Sequence, residues 1–515
     1  MTIALDIPSP CRDQLTFAET SVTGLEEWVS ALPMVHIGGT VKQIYQALLE
    51  LNELKTLPHT RMQMLEVVRP AAHHLLSTLS RSYLNHNSTA DNIQHQIQIS
   101  DLAQALQHEL STGYKMVFAE TLTQQQQMTV SSFNDLLGQS IHRAMTEIGL
   151  SILRACQLYT TTTEGVWQEL YLLFRYAQRF KLLKQQTSDP EKYFKQRSSI
   201  EEAFKQVLLL ACAKPNQLRP IELDRIYKTL ELWSDGSKLI PSAHKAALFV
   251  LNSQHNQPPI YKQNLKGELS KQHIGLFTEQ LAHYIYQHLK AKQQHQDSNL
   301  PIQIPNTLSV TLLKHLIFCW SKPSKRNSDR TPTNGIVTIC FGFENIYQHL
   351  EKGIGKIEQY PVDEAQLINA SVGGYCIQSY DQNVFSVETS ALIGIQETDK
   401  IWRLGIVRWI KNSDDFYESQ LGIQTLAEQV TCCQIRILEN ADYNEASVSV
   451  FFIPELSAMG IQANIITPSL SIFSEKLKVE LDIHGELKHF SLSNLVERSA
   501  DHYRFEALAL STDIE

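Results

Sequence analysis

The sequence predicts a multidomain α + β protein, with an N-terminal all-helical region followed by a C-terminal β-barrel and further β-strands. Two observations lead to this fold class. Residues 1–320 carry apolar side chains mainly at spacings of three and four, the period of an amphipathic helix. From about residue 333, short runs of β-branched and aromatic residues alternate with Gly, Asn and Asp, a pattern typical of strands joined by turns.

Length and composition indicate a folded protein of several domains. A chain of 515 residues is too long for one ordinary core. No window approaches the roughly 18 consecutive apolar residues of a membrane span, and the hydrophobic content of 43% suits globular domains. The N-terminus has no basic region followed by an apolar one, and the eight cysteines form no CxxC pair. We therefore expect a cytoplasmic protein with reduced thiols.

The helical segments have recognisable starts. In residues 131–156 the apolar side chains fall on one face, and Ser131 or Ser132 is the expected N-cap. Residues 199–213 and 220–234 are expected to form a helix pair, with Pro220 in the first turn of the second helix. Polar stretches that break the helical pattern lie at 121–128, 186–193 and 292–307.

These changes of pattern predict four parts of the chain. The expected parts are a helical region at 1–320 with a candidate split near 185–200, a linker at 321–334, a β-barrel at 335–435, and a second β subdomain or barrel extension at 440–515.

The predicted linker contains a local basic cluster. The net charge of −9 argues against general binding of DNA or RNA, because such binding depends on a broad positive field. An anion is therefore expected only at a local cluster, and "SKPSKRNSDR" at 321–330 carries Arg326 and Arg330 in an RxxxR spacing. Taken alone, this stretch is better explained as a solvated basic linker.

A second motif follows in "LINASVGGYCIQSYD", where Asn369, Ser371 and Gly374 have the spacing N-x-S-x-x-G. The glycines allow close approach of a backbone or ligand, but a plain hairpin has the same composition. The N-A-S triplet is formally a glycosylation sequon, but a chain that is not secreted does not meet the enzyme that glycosylates it. A phosphate-binding P-loop is excluded, because the glycine spacing and the Lys-Ser/Thr pair are missing.

Together, RxxxR before the first strand and (D/N)xSxxG within the barrel resemble the PilZ-domain family of cyclic di-GMP receptors. "LGIVRWI" and "LGIQTLA" are similar to late strands of that barrel, with Gly405, Trp409 and Gly422 in familiar places. The resemblance covers about 322–430. The interval between the motifs is longer than usual for the family, and residues 344–364 look like an insertion with a short helix.

The resemblance implies a cyclic di-GMP receptor that is not an enzyme. The residues expected to bind the dinucleotide are Arg326, Arg330, Asn369, Ser371 and Gly374. No zinc-ligand spacing or nucleophile motif is present, so no cofactor or metal is expected. Binding at the junction of the helical region and the barrel is expected to rearrange the helical region, which would meet a protein partner. The alternative is a helical adaptor whose PilZ-like barrel binds no nucleotide, and an unrecognised hydrolase site is a third possibility.

Overall fold

The structure is a computed structural model, and it describes residues 5–84, 90–294, 300–323, 331–352, 360–371, 373–380, 387–414, 417–427, 430–438, 447–455 and 462–510. The chain divides into two compact units. The front unit comprises residues 1–215 and 220–324, and the barrel unit comprises residues 216–219 and 325–515. The order that the sequence predicts, helices first and β-barrel after, is confirmed.

The front unit is mainly helical. Its helices are α1 (Val22–Ser30), α2 (Ile37–Glu53), α3 (Pro58–Tyr83), α4 (Ala90–Thr123), α5 (Val130–Gln157), α6 (Val166–Arg179), α7 (Ile200–Ala211), α8 (Pro220–Trp233), α9 (Glu279–Gln293) and α10 (Val310–Ser321). Helix α5 is central, because α4, α6, α7 and α8 all pack against it. No helix in the described part of the chain has the length and apolarity that crossing a membrane requires.

The helix starts follow local chemistry. Helix α8 begins at Pro220, as expected. The N-cap of α5 is Thr129, whose hydroxyl accepts a hydrogen bond from the Ser132 N–H, so the expectation of a serine cap at 131 or 132 is wrong. Helix α7 starts with a capping box, in which Ser199 and Glu202 each accept a hydrogen bond from the other's backbone N–H.

The front unit also contains short strands, so it is not all helical as the sequence predicts. The predicted α + β class itself is confirmed. These strands are β1 (Gln186–Ser188), β2 (Arg197–Ser199), β3 (Lys238–Pro241), β4 (Phe249–Asn252), β5 (Ile260–Tyr261) and β6 (His273–Phe277). β1 pairs with β2, and the other four form a sheet in the order β3-β6-β4-β5. Their longest member has five residues, too few to establish a period of two in the sequence.

The barrel unit contains two closed barrels in its described residues. The first is built from β7 (Thr331–Phe341), β8 (Asp363–Ser371), β9 (Gly374–Ser379), β10 (Leu392–Gln396), β11 (Trp402–Asn412) and β12 (Ser419–Thr425). The second is built from β13 (Thr431–Ile437), β14 (Val448–Ile453), β15 (Ala463–Pro468), β16 (Lys478–Ile483), β17 (Glu486–Arg498) and β18 (His502–Ala509). The strand orders are β10-β11-β12-β9-β8-β7 and β13-β14-β15-β18-β17-β16.

Helix α11 (Phe343–Lys352) lies between β7 and β8 and begins one residue before the insertion at 344–364, where the sequence predicts a short helix. Its buried Tyr347 and half-buried Phe343 pack against Phe451 of the second barrel, with ring centroids 5.7 and 4.7 Å from that ring. The same cluster includes Leu404 of the first barrel and Ile466 of the second. The two barrels therefore share a hydrophobic core that α11 completes.

Candidate functional site

The structure places three of the five predicted site residues at one hairpin. Asn369 and Ser371 lie at the end of β8, and Gly374 is the first residue of β9. Arg326 and Arg330 lie outside the described residues. Of the two predicted motifs, the structure therefore describes only N-x-S-x-x-G.

Gly374 is required by a close backbone approach. A Cβ at this position would lie 1.9 Å from the carbonyl oxygen of Ile423 on β12, and the φ of Gly374 is +154°. The Ser371 hydroxyl donates to the Gly374 carbonyl at 3.3 Å, and the Thr425 N–H donates to the Gly373 carbonyl at 3.1 Å. The turn between β8 and β9 is thus fixed against β12, and any larger residue at 374 would displace one of them.

A cleft of about 180 Å³ opens beside this turn. It is lined by Ser371, Gly373, Gly374, Tyr375, Arg408, Trp409, Gly422, Ile423 and Gln424. The structure therefore brings Ser371 and Gly374 together on one concave surface. Asn369 does not line the cleft; it is half-buried and pairs across the sheet with Cys376 on β9 and with Pro332 on β7.

Two consecutive residues of β11, Arg408 and Trp409, line the cleft together. Neighbouring residues of a regular strand point to opposite faces, but the register between β11 and β12 shifts between Val407 and Trp409. The Trp409 indole lies directly over Gly422, where a Cβ would approach its Nε1 to 1.7 Å. The bulge and this glycine together explain how a large flat ring fits at the cleft wall.

Arg408 is a candidate site residue that the sequence analysis does not single out. Its Nε donates to the Gln424 side chain at 2.7 Å, and its Nη1 lies 2.8 Å from the carboxylate of Glu497 on β17. The guanidinium is thus a cationic group at the cleft, held between β12 and the second barrel. The sequence contains one signal for it, because a basic residue directly precedes Trp409 in "VRWI".

Tyr375 also lines the cleft and carries a hydroxyl that forms a hydrogen bond. Its hydroxyl donates to the Glu397 carboxylate at 2.7 Å. Burial raises the pKa of Tyr375 to about 12, and the bond to Glu397 acts in the same direction. The phenol therefore stays protonated near neutral pH, so the cleft lining includes an indole, a guanidinium, a phenol and the side-chain amide of Gln424. These groups suit a flat, polar molecule that carries negative charge.

A serine, a histidine and an aspartate lie together in the second barrel. The Ser499 hydroxyl and the Asp501 carboxylate contact Nδ1 of His502 at 2.8 and 2.9 Å. In a Ser-His-Asp triad the serine and the carboxylate use opposite ring nitrogens, and here His502 is fully buried. This cluster fixes the turn between β17 and β18. Nor do any His, Cys, Asp and Glu side chains among the described residues form a group that could hold a metal ion.

Three family models match successive parts of the chain. They are described as "Cyclic-di-GMP receptor FimW, N-terminal domain" at 23–245, "Cyclic-di-GMP receptor FimW, middle PilZ domain" at 248–356 and 348–431, and "FimW C-terminal beta-barrel domain" at 433–508. The PilZ match includes the segment that carries the resemblance in the sequence and also extends upstream of it.

One relative matches along nearly the whole chain. The cyclic-di-GMP receptor FimW of Pseudomonas aeruginosa is 25% identical over 574 aligned positions, which include 98% of this chain and 93% of that protein. No solved structure matches the chain.

Proposed function

The chain belongs to the FimW family of cyclic di-GMP receptors, and we propose that it binds cyclic di-GMP at the cleft of its first barrel. One observation carries the placement. Ser371 and Gly374 of the N-x-S-x-x-G motif lie on the same concave surface as Arg408 and Trp409. A barrel that only supports its neighbours would not need this set of side chains on one concave surface.

The arginine segment is the second half of the proposed site. Strand β7 begins at Thr331, directly after Arg330 in the chain, and Thr331 pairs with Ala370 between the two polar motif residues. The RxxxR segment is thus covalently joined to a point beside the hairpin. Asn369 pairs with Pro332 on the same side, so we place its amide at the entrance where the segment meets the barrel.

Cyclic di-GMP fits the residue types proposed for this site. The O6 and N7 atoms of guanine are adjacent acceptors that match the planar fork of arginine, which also pairs with phosphate oxygens. In an extended segment, Arg326 and Arg330 would lie roughly 13 Å apart and could hold different parts of the ligand. In a helix they would share one face. The Asn369 amide and the Ser371 hydroxyl would bind polar edges of a guanine.

Binding is proposed to act as a signal without turnover of the ligand. The RxxxR segment joins α10 to β7, so a ligand that orders this segment would also constrain the end of α10. The front unit would then present or withdraw a surface for a protein partner. This reading makes the protein a cytoplasmic receptor that is not an enzyme.

Titration calorimetry of the full chain with cyclic di-GMP, GTP and cyclic di-AMP tests the proposal. We expect selective binding of cyclic di-GMP and about 10- to 100-fold weaker binding by Arg326→Ala or Arg330→Ala, because each variant loses a bidentate contact. Lys325→Ala is the matched control from the same segment, and its effect should stay below about fivefold, as for a single surface charge. Absence of heat with cyclic di-GMP would instead support a scaffold whose barrel binds no nucleotide.

A further inference from the structure

Arg408 connects the cleft of the first barrel with an acidic residue of the second. Its side chain is 35% exposed, whereas the side chain of its partner Glu497 is 8% exposed. The two residues are far apart in the chain, on β11 and β17. The second barrel therefore supplies the carboxylate that neutralises a cation of the candidate site.

Glu497 has a second arginine close to it. Nη2 of Arg504 on β18 lies 3.7 Å from the other carboxylate oxygen of Glu497, just beyond hydrogen-bond distance. That oxygen and the Arg504 Nε are both buried without a hydrogen-bond partner in the described part of the chain. Burial lowers the pKa of Arg504, and the Arg408 charge acts in the same direction, while Glu497 and Glu506 oppose it. One carboxylate is thus shared unequally between two guanidinium groups.

A phosphate in the cleft would compete with Glu497 for Arg408. Arg408 lines the same cleft as Ser371 and Gly374, and a guanidinium forms strong charge-assisted bonds with phosphate oxygens. Loss of the Arg408 contact would normally leave Glu497 as a buried, unpaired charge, which is costly. Here Arg504 already lies beside the carboxylate, so a small movement converts the 3.7 Å contact into a hydrogen bond.

We propose that Arg408 is a third arginine of the nucleotide site, and that Glu497 exchanges Arg408 for Arg504 when a ligand phosphate binds. The inference rests on the proposed function, because the competing phosphate is that of cyclic di-GMP. The exchange has two consequences. Because Glu497 of the second barrel holds Arg408 before the ligand binds, it lowers the affinity of the site for cyclic di-GMP. When the ligand is bound, the second barrel changes its own internal contacts.

Calorimetry on variants of the full chain tests the exchange through effects of opposite sign. Glu497→Gln should tighten cyclic di-GMP binding about twofold to fivefold, the range of a partly exposed ion pair, because it frees Arg408. Arg504→Gln should weaken binding by a similar factor, because Glu497 loses its alternative partner. Arg408→Gln should weaken binding about tenfold or more, and Glu497→Gln should have no effect in that background.

Two charge-matched controls come from the same barrels. Lys411→Gln removes a cation from β11, and Glu480→Gln removes a carboxylate from β16. Neither residue lines the cleft. Both should leave affinity unchanged. Hydrogen exchange of the unmodified protein provides a measurement that does not depend on variants folding, because residues 493–504 should change exchange rate when cyclic di-GMP is added.

The outcomes separate this inference from the proposed function. If the unmodified protein binds cyclic di-GMP but Glu497→Gln weakens or does not change the affinity for it, the proposed exchange of ion-pair partners is wrong and the receptor function stands. The same holds if the Glu497→Gln effect persists in the Arg408→Gln background, or if the ligand does not alter the hydrogen exchange rate of residues 493–504. If the unmodified protein does not bind cyclic di-GMP, both proposals are overturned.

Discussion

Among the described glycines of the first barrel, Gly374 and Gly422 leave the least room for a side chain, because a Cβ would lie 1.9 and 1.7 Å from its nearest neighbour. At Gly374 the obstacle is the backbone carbonyl of Ile423, and at Gly422 it is the Trp409 indole. A backbone cannot rotate away as the end of a side chain can. Gly374 is therefore the stricter requirement, and its contribution to binding is to set the shape of the turn.

We expect Gly374→Ala to lower the free energy of unfolding by ~1–3 kcal/mol, the usual cost of overpacking, and to weaken cyclic di-GMP binding. Thermal denaturation and calorimetry would measure the two effects. Gly335→Ala on β7 is the matched control, because no heavy atom lies within 4 Å of a Cβ built there. Equal losses of stability in the two variants would contradict the argument from close approach.

At the residue scale, the sequence predicts the motif residues but not the rest of the cleft. Ser371 and Gly374 could be found because they lie three residues apart in one motif. Arg408 precedes Trp409 in the sequence, but that both of them line the cleft depends on a register shift between paired strands, which the sequence does not reveal. Glu497 is distant in sequence from Arg408, and only the packing of two barrels brings them together.

At the scale of helices and strands, α3 and α5 of the front unit are joined by a buried ionic network. Arg69 lies 2.8 Å from the Glu147 carboxylate and 2.7 Å from that of Asp189, and Arg143 pairs with Glu66 at 2.8 Å. Arg69, Glu147 and Asp189 are almost completely buried. Such pairs specify how helices pack, because a change that removes one partner leaves an uncompensated charge in the core.

This network predicts that the front unit is sensitive to acid. Burial alone would raise the pKa of Glu147, but the charges of His73 and Arg69 outweigh it and lower that pKa to about 2. Burial lowers the pKa of His142 to about 3. Ordinary values are about 4.3 for Glu and about 6.5 for His, so the unfolded chain binds more protons than the folded one over this range. The free energy of unfolding should therefore fall as pH falls from about 6.5 towards 2.

Far-UV circular dichroism during chemical denaturation at a series of pH values would measure this loss, since the helical signal comes mainly from the front unit. Glu147→Gln should cost ~3–5 kcal/mol at pH 7 and make the acid dependence shallower, because one depressed carboxylate is gone. Glu26→Gln, which removes a carboxylate from the exposed face of α1, is the control. A variant with the same acid dependence as the unmodified protein would rule out Glu147 as a source of it.

The elements differ in how far sequence can predict them. Long amphipathic helices such as α5 are identified by their period, whereas β1 to β6 have too few residues for a period and arise where neighbouring segments pair. Closure of the second barrel depends on pairing between β13 and β16, which are separated by two other strands. The sequence therefore predicts further β-structure there, but not its closed form.

At the scale of the whole molecule, the proposed relay acts through the segment between α10 and β7. We expect cyclic di-GMP to slow hydrogen exchange across residues 310–334, because ligand contacts would order the segment and restrain the end of α10. Arg330→Ala should abolish the change at the same nucleotide concentration. Equal exchange of 321–334 with and without nucleotide, under conditions where calorimetry shows saturation, would refute the relay while leaving binding intact.

Helix α11 also has a consequence for related sequences. It occupies the long interval between the arginine motif and the N-x-S-x-x-G motif, and its Phe343 and Tyr347 provide the surface on which Phe451 packs. We therefore expect the length of that interval to indicate whether a chain has a second barrel. In a genome survey, PilZ-type chains with a long interval and two aromatic residues four apart should carry a second barrel downstream, and chains with a short interval should end without one.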